Sequence, residues 1–262
     1  DAAERAVWMA IVSLDHLEIT SETNALKERI VQRYISSWPN SPRATKLLLH
    51  QSQVATVSKD RVDDLLAVPQ SDPQYADAQE QASRLLYKAW QSVTPSKRSK
   101  IGNQYVFTAI PLLLVENDLA DSDTSPERLA VRAFRILEVS LHPEINRIIA
   151  AENAFKVLLE LMETGRYDTT SQASELSYRK VQAALISNDD GALINEMNSM
   201  IRSFPNDDWT IRAAKSVWAS WERSQQTVPD ELRFQIGMQF IGSMSDANIV
   251  SPQFAGVART IA

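Results

Sequence analysis

Apolar residues recur along this chain at the spacing of one helical face, segment after segment, with proline and short polar stretches between the segments. Val7, Trp8, Ile11, Val12 and Leu14 predict a first helix from Ala3 to about Leu17. Thr20-Ser21-Glu22-Thr23-Asn24, rich in residues that cap helices, opens a second that runs to Ser36, with Leu26, Ile30, Val31, Tyr34 and Ile35 as its stripe. Pro39 and Pro42 end it, because proline donates no amide hydrogen and restricts the residue before it. Ser41-Pro42 starts a third helix through Ala44, Leu47, Leu48 and Val54, and Lys59 to Ala67 forms a short fourth. Asp72-Pro73 repeats the cap-plus-proline device and opens a fifth, with Tyr75, Ala78, Ala82, Leu85, Leu86 and Trp90, stopped near Pro95.

Ser96 to about Leu119 is the most apolar segment, and Pro111 either kinks it or divides it in two. Its longest apolar run, Tyr105 to Val115, falls short of the roughly 20 residues of a membrane span and reads as a buried helix core. Lys97, Arg98 and Lys100 stand at its entrance and Glu116, Asp118, Asp121 and Asp123 at its exit, the reverse of what the helix dipole favours. Both ends are therefore expected to be solvated or paired. The stretch Asp121 to Pro126 reads as a linker between two helical halves, 1–121 and 126–262, unless they continue as one array.

Beyond it, Ser125-Pro126-Glu127 starts a helix of Leu129, Ala133, Phe134, Ile136 and Leu137 that ends at His142-Pro143. Another is expected from about Glu144 to Thr164, with Gly165 as its C-terminal cap. Helices from Ser171 to Ser187 and Asp190 to Ser203 follow. Asp207 or Asp208 caps one carrying Ile211, Ala214, Val217, Trp218 and Trp221, and Pro229 begins one more with Leu232, Ile236, Phe240, Ile241 and Met244. Pro252 to Ala262 predicts a last short helix. No segment alternates as a strand would, so the chain reads as all-α: about twelve or thirteen helices in stacked antiparallel pairs.

The junctions Trp38-Pro39-Asn40, Val68-Pro69-Gln70 and Phe204-Pro205-Asn206 resemble the ends of tetratricopeptide repeats, where a second helix finishes on an apolar residue and proline. Leu193, Met197 and Met200 before Pro205 sit at that family's small and aromatic positions, two of them with bulkier residues, while its Trp, Leu-Gly and Tyr signature is absent. The resemblance implies a degenerate α-solenoid whose concave face binds a peptide or protein segment, without catalysis.

Composition narrows the chemistry. A net charge of −6 from 27 basic and 33 acidic residues repels a polyphosphate backbone and argues against nucleic acid. Six glycines suit helices better than hairpins, and the absence of cysteine removes disulfides and thiolate sites. A first residue Asp1 in place of Met is expected of a processed form or fragment, whose partner could be another part of its own full-length chain.

Candidate groups are few. Asp15-His16-Leu17-Glu18 gathers ligand types at a helix end, but neighbours on a helix diverge and no second histidine is close, so no metal or cofactor is expected. Gly237 and Gly242 have the outer spacing of a phosphate loop without its lysine. For a partner, the expected contacts are the basic cluster Lys97, Arg98 and Lys100, suited to an acidic peptide, and Trp209 or Trp221 as exposed anchors. Against these stands the reading that the tryptophans fill gaps between helices. The alternatives to an interaction scaffold are an all-helical enzyme with a cavity lined by Glu152, Glu138 or Asp118, and a structural spacer.

Overall fold

The computed structural model describes residues 2–17, 20–54, 59–118, 125–224 and 230–242. Among them the chain is all-helical, with no strand. The elements are α1 (Ala2–Asp15), α2 (Ser21–Ser37), α3 (Pro42–Val54), α4 (Lys59–Leu66), α5 (Tyr75–Ser92), α6 (Pro95–Asp118), α7 (Pro126–Ser140), α8 (Ile148–Glu163), a 3-10 turn at Thr170–Gln172, α9 (Ala173–Ser187), α10 (Asp190–Ser203), α11 (Asp208–Ser224) and α12 (Asp230–Gly242). None is long and apolar enough to cross a membrane. Two compact units, 1–115 and 116–262, divide within α6. The expected linker lies outside the described residues up to residue 124, as does the predicted helix from Pro252.

In unit 1, α1 packs on α2, α2 on α3, and α3, α4 and α5 on one another. Ile11 is the one residue of α1 that is fully buried, so apolar burial alone holds that helix weakly. Polar and aromatic contacts add to it. The Tyr34 hydroxyl donates to Glu4 at 2.7 Å and the Ser41 hydroxyl to the same oxygen at 2.8 Å. These two hydrogen bonds, Tyr34's the larger influence, hold the Glu4 carboxyl below its ordinary range, while burial pushes the Tyr34 phenol up. Trp8 and Trp38 flank the Tyr34 ring at 5.8 and 5.2 Å, and Arg43 lies 5.0 Å over Trp8.

Two sequence expectations are decided here. Asp72 does not cap α5, which begins at Tyr75; its carboxylate accepts the Gln74 amide and the Thr45 hydroxyl, each at 2.8 Å, and so ties the preceding turn to α3. Of the two alternatives at Pro111, division is ruled out and one long helix stands: α6 runs unbroken from Pro95 to Asp118 with one ladder donor missing.

In unit 2, α7 and α8 form a helical hairpin, as do α9 and α10, and α11 packs on both α9 and α12. The last turn of α6 belongs to this unit, and its acidic end is paired: Glu116 binds Arg132 and, at 3.2 Å, Arg128, while Asn117 donates to Glu160 at 2.8 Å. Ser125 caps α7 by accepting the Arg128 amide, and Asp207 caps α11 by accepting that of Trp209.

Helix α8 begins only at Ile148, not near Glu144. Pro143 and the left-handed Asn146 (φ 47°) keep residues 141–147 in a turn closed by the Arg147 amide on the Ser140 carbonyl. At its other end Gly165 adopts φ 65° and the amides of Gly165 and Arg166 return to Met162 and Leu161, satisfying carbonyls that the helix leaves open. Trp218 and Trp221, 6% and 7% exposed, sit in a core cluster with Val181, Met197, Met200, Ala214, Val217 and Ile236. An exposed Trp221 anchor is thereby corrected: the ring is buried as part of the core cluster of unit 2.

Candidate functional site

One feature of unit 1 that its own packing leaves open is the outer side of α6. At 100° per residue, Tyr105, Ala109 and Leu113 share one face and Phe107, Pro111 and Val115 share the nearly opposite one. The first face is buried at 0–1% exposure; on the second, Phe107 is 69% and Val115 58% exposed. The segment that reads as a uniformly buried core is therefore buried on one side only. Helix α6 has no polar outer face along its middle, because apolar residues occupy both sides.

This second stripe forms one wall of a groove of about 1150 Å³. Leu112 and Thr108 extend the wall, and Leu66 of α4, Pro73 of the connecting turn, and Tyr75, Ala76 and Gln79 of α5 make the opposite side. Asp63 and the buried Asp72 stand on the α4 side, and Lys100 and Gln104 on α6. The exposed Phe107 and Val115 thus share the groove with a wall of mixed character, apolar at Leu66, Pro73, Tyr75 and Ala76 and polar at Asp63, Gln70, Asp72 and Gln79.

Of the residues expected to contact a partner, the structure brings Lys100 into this groove. Lys97 is exposed one turn earlier on α6, and Arg98 turns back to donate to the Val93 carbonyl at 3.5 Å. Trp209 lies in unit 2, half-buried, with Tyr178 5.2 Å away and the guanidinium groups of Arg179 and Arg212 at 5.3 and 4.7 Å from its centroid. Its ring is thus engaged by its own chain. Sequence reasoning missed Phe107, Pro111, Leu112, Val115 and Tyr75; the available signal was that α6 carries apolar residues at two opposed spacings of four.

The other candidates scatter. Glu152 and Asp118 are exposed, Glu138 is half-buried, and none of the three lines the groove. Among the described residues no group of three or more His, Asp or Glu gathers as a metal site would. His142 accepts the Glu144 amide through Nδ1 at 3.3 Å, a turn-closing role. Gly237 lies inside α12, where a phosphate loop cannot form. Compared with known protein families, with curated proteins and with solved structures, the chain matches none.

Proposed function

We propose that this protein is a non-enzymatic interaction module that holds an apolar segment of another protein, or of its own full-length chain, in the groove between α4, α5 and α6. The exposure of Phe107 and Val115 on a two-walled groove carries the reading. Fully burying an exposed side chain of this kind is worth about 1.5–3 kcal/mol, and Phe107 and Val115, 69% and 58% exposed, each retain more than half of that for a partner to cover. The tetratricopeptide-like solenoid is part of the same proposal; the packing of α9 on both its hairpin partner α10 and the next first helix, α11, supports it.

The test is selection of peptides from a random displayed library on the folded protein. Enrichment of sequences with apolar residues at helical spacing is expected, with capture lost by Phe107→Asp combined with Val115→Asp and kept by Trp209→Ala. Absence of enrichment, or undiminished capture by the double variant, would remove the groove as the binding site.

A further inference from the structure

Helix α8 in unit 2 also presents apolar residues to solvent. It packs on α7 and α9, and its buried residues are Ala151, Ala154, Val157, Leu158 and Leu161. On the other side Ile149 is 71% and Leu159 42% exposed. At 100° per residue, Ile149, Glu152, Lys156, Leu159 and Glu163 fall within one sector of about 80°, and all five are exposed. Neither Glu152 nor Lys156 is held in an ion pair among the described residues.

The order of these groups is its own complement. Ile149 and Leu159 stand five positions either side of Ala154, and Glu152 and Lys156 stand two positions either side of it. Two copies of α8 laid antiparallel about that point set Ile149 of each against Leu159 of the other, and Glu152 of each against Lys156 of the other. A twofold axis requires this kind of pattern, because every residue on the surface must find its match on the same surface. The other charges of the helix are Glu160 and Glu163, and they do not oppose the pairing. Glu160 accepts from Asn117 at 2.8 Å. In the antiparallel pair the two Glu160 side chains lie about 18 Å apart along the axis and the two Glu163 side chains about 27 Å, beyond the reach of screened repulsion. Each falls near the first turn of the other helix, where the dipole favours negative charge.

We infer that this protein pairs with a second copy of itself through α8, antiparallel and centred on Ala154, with the Ile149–Leu159 and Glu152–Lys156 contacts each made twice. The surface shares no residue with the groove of unit 1. A foreign helix would cover Ile149 and Leu159 equally well, but it would not require opposite charges to repeat about one point. A single pair of helices is a small interface, so the dimer is weak and forms at concentrations of about 10 μM or more.

Sedimentation velocity of the whole chain, from about 1 to about 200 μM, tests it, and the sedimentation coefficient should rise from the monomer's value towards the dimer's across that range. Glu152→Lys alone sets like charges opposite one another at both pairs, as does Lys156→Glu alone, and each should weaken pairing on the order of tenfold. Mixed in equal amounts, these two variants should associate with each other, and the chain carrying both substitutions should pair within about twofold of wild type, because either arrangement restores the match. Both positions are exposed, so the circular dichroism of every variant should equal that of wild type. Phe107→Asp with Val115→Asp should leave pairing unchanged, which separates this surface from the groove. The inference is overturned if the chain stays monomeric throughout, if either single charge reversal leaves pairing intact, if neither mixing nor combining the reversals recovers it, or if the groove variant abolishes it.

Discussion

Helices α6 and α7 follow one another in the chain and use their apolar residues differently. On α7, Leu129, Ala133, Ile136 and Leu137 are all 0% exposed, and Glu127 and Arg128 face solvent. Apart from Val131, 40% exposed, its apolar residues form one broad buried stripe. On α6 the face of Tyr105, Ala109 and Leu113 is equally buried, yet Phe107, Pro111 and Val115 form a further stripe in water. A one-stripe helix is explained by stability alone. Helix α6 carries apolar surface that its own packing leaves exposed, and the proposed binding rests on that surplus.

The contrast is sharpest where the fold has most to lose. Leu137→Ala should destabilise the protein by about 3 kcal/mol, since it opens a cavity at a fully buried position. Urea unfolding followed by circular dichroism measures this, and a cost under about 1 kcal/mol would mean α7 is no better packed than the groove wall.

A smaller effect is expected at the polar tether of α1. Tyr34→Phe removes the hydroxyl that donates to Glu4 and should lower Tm by about 2–4 °C near neutral pH. The sign of its pH dependence follows from Glu4. A carboxyl whose folded pKa lies below its ordinary value of 4.5 stabilises the fold above that pH, and the gain is lost as pH falls through the folded value. The Tm difference between wild type and Tyr34→Phe should therefore narrow below pH 4.5; a gap constant down to pH 2 would show that the tether does not depend on the charged carboxylate.

The least effect on stability should come from the groove itself. Phe107→Ser, at a side chain 69% exposed, should stay within about 0.5 kcal/mol of wild type in the same urea experiment. A loss of more than about 1.5 kcal/mol would place Phe107 in the core and erase the difference between the two helices.

The helices and many of their ends were legible in the sequence because their causes are local. Apolar spacing identified the elements, and Thr20, Ser125, Asp207 and Gly165 act within a few residues of where they stand, through their own hydroxyls, carboxylates or backbone freedom. The starts that were misplaced depended on more than local spacing: Asp72 bonds Thr45 of α3 and the Gln74 amide in place of capping α5, and α8 waits on Asn146 entering the left-handed region and on a bond from Arg147 back to Ser140. Periodicity states which residues share a face. It does not state whether another helix lies over that face, since this depends on partners distant in the chain. Only the tertiary structure could enclose Trp221, leave Phe107 and Val115 in solvent, and set Lys100 beside them.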